Sequence, residues 1–269
     1  MSDDEQQTTE TAATESASTT AAVNGNSRTA TMAHYLLVGG IVLLVLSPLT
    51  YRAGVLDLGI ALMWLFPAGM LASLLAILVG LAGIMTTRNA GGRGKALTAV
   101  VGGLVVVGVV AMMIAPAILG GAPAIHDITT DTDNAPVFVA LREARDAAPN
   151  ETDYVGGDVA AQQVAAFPDL TTYVSPLPGS TVFAAAEQAA NEMGWDIAAV
   201  APAEGRIEAT ATTRIFGFKD DVVIRIQPTM DGTTIVDVRS ASRVGGGDLG
   251  ANAARIQAFL AALQQAISE

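Results

Sequence analysis

Gly245-Gly246-Gly247-Asp248-Leu249-Gly250 has the glycine spacing of a dinucleotide-binding turn and stands between a strand-like and a helix-like segment. That chemistry needs a parallel strand-helix-strand unit, whereas the strand before Gly245 belongs to an antiparallel meander and no parallel strand follows it. Two simpler uses remain. The turn's backbone donors, at a helix N-terminus, can hold an anion with Arg239 and Arg243 beside it, or Asp248 can accept those donors itself as a helix cap.

Lys219, Asp220 and Asp221 read as a hairpin turn behind Phe216 and Phe218. The aromatic pair can contact a partner or a lipid headgroup layer while the charges orient it, or it can fold back onto the core. Strand alternation puts Arg206, Glu208, Arg214, Arg225, Asp237 and Arg239 together on one sheet face. On a solvated face such cross-strand ion pairs contribute little. Covered by the irregular stretch before Leu177, the same charges would be costly to bury and would require a ligand or a polar network. The residues with which this domain could hold a polar ligand are therefore Lys219, Asp220, Asp221, Arg225, Asp237, Arg239, Arg243 and Asp248. An enzyme acting on an envelope lipid or glycan would draw its acid or base from Asp220, Asp221 or Asp237.

Other chemistries lack their parts. The chain has no cysteine, which removes disulfides, thiolate metal sites and cysteine nucleophiles, and its two histidines leave little for zinc or histidine-centred catalysis. His126, Asp127, Asp131 and Asp133 carry metal-ligand atoms, but Arg142 stands where a helix-loop-helix calcium loop needs its terminal glutamate. Neither a metal nor a cofactor is expected. Asn150-Glu151-Thr152 matches a glycosylation acceptor, a pattern too common to interpret. A net charge of −12 argues against nucleic acid as a partner, since phosphates need a basic footprint.

These residues must be positioned by a chain that is 51% hydrophobic and only 15% charged over its 269 residues. Soluble globular proteins average about 25% charged. Residues 1–30 are rich in Thr, Ser, Ala, Gln and Glu without apolar periodicity and are expected to form a disordered acidic tail. Apolar runs follow over 32–49, 58–85 and 96–120. A bilayer core about 30 Å thick is crossed by about 20 helical residues, so 31–122 is read as three transmembrane helices. Ala72, Ala76 and Gly80, then Ala99 and Gly103, form small-residue ladders of the kind that bring such helices close, although the composition alone supplies many small residues. Arg88, Arg93 and Lys95 lie between the second and third runs, and only Arg52 lies between the first and second. The positive-inside rule then places the second loop and the amino tail in the cytoplasm, and everything after the third span outside it.

The exported part, 123–269, has one helix at Val182, Ala186, Ala189 and Met193, with Ser180 as N-cap and Gly194 as C-cap. Strand-like segments over 195–200, 206–215, 222–227 and 233–241 are separated by Pro202 with Gly205, by Gly217, and by Asp231-Gly232. Leu249, Ala253, Ile256, Leu260, Leu263 and Ile267 then repeat at helical spacing behind Asp248. Ile207, Ala209, Ala211, Val222, Ile224, Ile226, Val236 and Val238 make an apolar face for the two helices to cover. An edge strand over 125–130 and a short helix over 137–147 precede a loop. The expected class is a membrane-anchored α+β protein: three transmembrane helices, then an antiparallel sheet covered on one face by two helices.

His126-Asp127-Ile128-Thr129-Thr130-Asp131, Phe218-Lys219-Asp220-Asp221-Val222 and Ile224-Arg225-Ile226 resemble segments of domain-of-unknown-function family 1499. Val236-Asp237, Arg239-Ser240, Ser242-Arg243, Asp248-Leu249-Gly250, Asn252 and Arg255-Ile256 are similar to that family's closing signature. The resemblance spans 125–269, leaves out the three spans, and implies a bacterial cell-envelope setting without supplying a reaction or catalytic residues.

Together these readings describe a multi-pass inner-membrane protein in contact with the lipid bilayer and with other membrane or envelope proteins. Its extracytoplasmic domain is expected to bind or interact. The alternatives are the carboxylate enzyme outlined above and a structural subunit of a membrane complex.

Overall fold

The computed structural model describes residues 28–87 and 90–268. Most of the expected tail and Arg88 lie outside the described residues. The chain divides into two units between Met113 and Ile114.

Three helices, α1 (Arg28–Arg52) and α2 (Leu58–Thr86) in the first unit and α3 (Ala90–Leu119), whose last residues from Ile114 on belong to the second, are long and apolar enough to cross a membrane. Arg28 to Ala30, expected within the tail, already belong to α1, because the helix extends one turn beyond its apolar run. α2 is not uniform: Ala61–Leu65 form a π-helical turn ahead of Pro67. Proline has no N–H for the carbonyl four residues back, and a π-turn is one way a helix absorbs that loss. Ser47 on α1 donates to the Ala61 carbonyl at 2.6 Å, a second bond beside the one that carbonyl accepts from the Phe66 amide, and ties α1 to α2. The stripe by which α2 packs is Gly69, Ser73, Ala76, Gly80 and Gly83. Ala72 is only half-buried, so the expected ladder holds at Ala76 and Gly80 but not at its first rung. A Cβ on Gly40 would meet the Gly69 carbonyl at 2.9 Å, and one on Gly103 would meet that of Ser73 at 2.9 Å. Backbones this close are what small residues permit where lipid offers no hydrophobic drive.

The second unit is built on a six-stranded antiparallel sheet. Its strands are β1 (Asp127–Thr129), β2 (Tyr173–Ser175), β3 (Asp196–Ala201), β4 (Arg206–Thr212), β5 (Lys219–Pro228) and β6 (Thr234–Ser242). The order is β1-β6-β5-β4-β3, with β2 sharing the outer edge of β6. α6 (Gly179–Glu192) and α7 (Ala251–Ser268) cover one face. All eight apolar strand residues expected on that face are in its core, joined by Val182, Ala186, Ile256 and Leu263 from the helices. Trp195 stacks on Phe259 with ring centroids 5.5 Å apart. Burying a side chain of that size is worth about 3 kcal/mol.

Several local expectations are corrected. α6 begins at Gly179 with Pro178 as N-cap, so Ser180 is already inside the helix. α7 begins at Ala251, and Leu249 is 61% exposed rather than part of its apolar stripe. The helix expected over 137–147 is the single turn α4 (Arg142–Asp146). The stretch expected to be loop contains α5 (Gly157–Ala166) and β2. Of the two readings of the mixed-charge face, the covered one holds. Residues 130–155 fold across it around a second small core of Phe138, Leu141, Val223 and Ala241, and Glu208, Asp221, Asp237 and Arg239 are each at most 1% exposed.

Candidate functional site

Under the 130–155 segment every sheet carboxylate is answered by arginine or backbone donors. Glu208 on β4 accepts from three consecutive amides, Val139 and Ala140 at 3.0 Å and Leu141 at 2.9 Å, and also pairs with Arg206. Successive N–H groups of this kind form a nest for an anion, here filled by the protein's own side chain. Asp221 on β5 accepts from Arg243 at 2.8 Å through each oxygen, from Arg145 at 3.1 Å and from the Thr210 hydroxyl at 2.8 Å. Asp237 on β6 accepts from Arg225 at 2.8 Å, from the Thr172 hydroxyl at 2.6 Å and from that of Thr130 at 3.2 Å. Arg225 also holds Asp131 at 2.9 Å.

Aromatic rings fill the spaces between the guanidiniums. Phe138 lies between Arg145 and Arg239, whose central carbons stand 4.7 and 4.9 Å from its centroid, and Arg239 also lies 5.6 Å from Tyr154. Burial lowers the pKa of Arg145, with Asp221 opposing the shift. Burial also pushes the Tyr154 phenol up to about 12, with nearby Asp127 acting in the same sense.

Placed in this frame, the residues chosen from the sequence do not converge on one site. Asp220 and Asp221 are strand residues, not turn residues, because the turn closes earlier: Thr213 and Phe218 exchange backbone and hydroxyl hydrogen bonds across it. As neighbours in a strand they face opposite ways. Asp220 points to the helical layer and takes a 2.6 Å bond from Arg255 on α7, while Asp221 points under the 130–155 segment. Lys219 is exposed at the start of β5. Arg225, Asp237 and Arg239 belong to the covered face. Arg243 is committed to Asp221, which raises its pKa through their hydrogen bonds. Asp248 caps α7, accepting from the amides of Gly250 at 2.8 Å and Asn252 at 2.7 Å, so these two donors at the helix start are occupied by the protein's own carboxylate. Burial still raises the Asp248 pKa against those bonds. Among the described residues no three His, Asp or Glu side chains converge as a metal site. The Asn150 amide donates to the carbonyls of Ser242 at 3.0 Å and Gly245 at 2.9 Å and is held in place.

A concave surface lies elsewhere. A groove of about 520 Å³ opens at the end of the sheet where α6 starts, lined by Gly179, Ser180, Phe183, Gly205, Ile226 and Pro228 among others. None of the eight sequence candidates lines it. The visible signals were conformational: Pro178 caps the start of α6, Pro202 opens the turn after β3 and Pro228 closes β5, and two of the three line the groove.

Residues 127–263, just over half of the chain, match the family described as "Protein of unknown function (DUF1499)". Comparison with curated proteins finds no match. The matched range covers the sheet from β1 to β6 and most of α7, the same part that carries the resemblance read from the motifs. The chain belongs to the DUF1499 family, its α+β domain forming the family's part and the three apolar helices preceding it.

Proposed function

We propose that this protein is a multi-pass inner-membrane protein that presents its α+β domain on the extracytoplasmic side and uses it to bind a ligand or partner rather than to transform one. The loop charges favour the orientation. The observation that carries the binding reading is the commitment of Asp220, Asp221 and Asp237 to arginines at 3%, 0% and 1% exposure. An acid or base must reach a substrate proton, and carboxylates sealed in a sheet against guanidiniums do not. The groove beside α6 is a concave surface of this domain open to a ligand.

The test is native mass spectrometry of the full chain purified in mild detergent, beside a variant in which Ser180→Trp fills the groove. A co-isolated species present in the first and lost in the second supports the reading. A wild-type mass that equals the bare chain in every preparation, with turnover of envelope lipid or glycan substrates, would overturn it.

A further inference from the structure

One end of the sheet gathers features that the buried network and the groove leave unused. The tip between β4 and β5, residues 213–218, presents Ile215 at 46% exposure and stacks Phe216 on Phe218, ring centroids 5.1 Å apart, both rings part-exposed. Arg214 and Lys219 bracket these apolar residues, and no acidic residue interrupts 212–219 in a domain that carries 20 acidic against 9 basic residues. Leu249, between Gly247 and Gly250, which lie against Ala124 and Ala122 of the incoming chain, is 61% exposed with a backbone φ of 56°, the one non-glycine residue with positive φ among the described residues. A large apolar side chain held in a disfavoured conformation and turned to solvent gains nothing for the fold.

The hydrogen bonds show what else lies at this end. The Arg243 amide donates to the Lys219 carbonyl, that of Ser242 to His126, and that of Asp248 to Ile125. The chain therefore enters the domain here, directly from α3, whose last residue is Leu119. Six residues reach at most about 20 Å, so Ile125 stays within that distance of the end of a helix apolar enough to span a bilayer.

We propose that the 213–218 tip, with Leu249, docks into the headgroup layer of the bilayer that holds the spans, its aromatics and leucine in the interface and Arg214 and Lys219 toward anionic headgroups. Aromatic and basic residues are the side chains that settle at that depth. β5 runs ten residues from the tip to Pro228 at the groove. Docking at one end would thus hold the groove about 30 Å from the lipid, facing away from it. The proposal needs the spans but not the ligand reading, and the two fail separately.

The chain lacks cysteine, which makes a single reporter thiol clean. Ile215→Cys, and Met230→Cys in the fully exposed turn at the opposite end of the sheet, are each labelled with an environment-sensitive fluorophore on the full chain in nanodiscs. The discs hold phosphatidylcholine alone or with phosphatidylglycerol. Docking predicts blue-shifted emission at 215, quenching there by headgroup-level nitroxide lipids and protection from iodide, with the reverse at 230. In the phosphatidylglycerol discs, Arg214→Gln with Lys219→Gln should lower the docking equilibrium constant by about fivefold per charge removed. Leu249→Gly should lower it in both lipids while leaving the folded domain intact by circular dichroism. Iodide access at 215 equal to that at 230 in incorporated protein would overturn the proposal, as would iodide protection at 215 without nitroxide quenching, since protein and not lipid would then cover the tip.

Discussion

Arg239 and Asp127 meet fork to fork, Nε to Oδ1 at 2.9 Å and Nη2 to Oδ2 at 2.7 Å, and so join the first strand of the domain to the last beneath a cover of chain. The same guanidinium donates to the carbonyls of Pro136 and Thr152, fastening both limbs of that cover. One side chain thus holds sheet edge and lid together. Removing its partner leaves a buried positive charge with only neutral acceptors, which typically costs 3–5 kcal/mol. Asp127→Ala is therefore expected to destabilise the domain by about 4 kcal/mol, read from Trp195 fluorescence in denaturant. The double variant Asp127→Leu with Arg239→Met should recover most of that loss, because an apolar pair of similar size carries no desolvation cost. A double variant no more stable than the single would mean that the ion pair is not what the cover depends on.

Phe138 supplies a second anchor of the cover. Truncation to alanine removes a ring at 2% exposure and two guanidinium contacts at once. We expect Phe138→Ala to cost about 4 kcal/mol, and Phe138→Leu, which keeps bulk but no π-face, about 2 kcal/mol. A Phe138→Leu loss near zero beside a large Phe138→Ala loss would show that packing alone holds this residue and that the cation–π contacts add nothing.

These two anchors also mark where sequence reading stops. Ile207, Ala209 and Ala211 alternate with polar residues, and alternation assigns a face without knowledge of what covers it. Glu208, Asp237 and Arg239 alternate just as cleanly, and the same rule leaves open whether water or chain covers them. What decides the matter is 130–155, a segment without helical or strand period, which supplies three backbone amides for Glu208, Arg145 for Asp221, and Phe138 within reach of two guanidiniums. A cover held by charge leaves no hydrophobic signature. α5 and β2 were missed because both are short: α5 is ten residues behind Gly156-Gly157, mostly alanine and glutamine, and β2 is three residues long. The tip at Phe216 and Phe218 was visible as a motif, but only the register of β4, β5 and β6 shows that it shares an end with the incoming chain.

Tyr154 gives the cover a signature in alkali. Its phenol is raised from 10 to about 12, chiefly by burial. A folded-state pKa above the unfolded value favours the protonated, folded form, so the contribution is complete below pH 10 and is lost as the pH rises through about 12. The difference between the ultraviolet titrations of the wild type and Tyr154→Phe should centre near 12, and the wild type should lose more stability than the variant over that interval. A difference curve centred at the ordinary tyrosine value would place this hydroxyl in water.

Gly205 tests the end of the sheet where the groove opens. It follows the short 3-10 turn Pro202–Glu204 with φ of 60°, and a Cβ there would lie 2.1 Å from the Ile226 carbonyl oxygen. The Ile226 amide meanwhile donates to the Gly205 carbonyl at 2.7 Å, so the two backbones cannot part without losing a hydrogen bond of the β4–β5 pairing. Gly205→Ala therefore combines left-handed strain with a backbone collision, and should destabilise by at least about 3 kcal/mol. Gly232 has a φ of 88° but nothing within 4 Å of its missing side chain. Gly232→Ala then carries the conformational part alone, about 1–2 kcal/mol. Denaturant unfolding of the pair separates the two contributions. If Gly205→Ala were as mild as Gly232→Ala, the Pro202–Gly205 wall would be yielding, and the groove it borders could not hold the shape on which ligand selectivity there would depend.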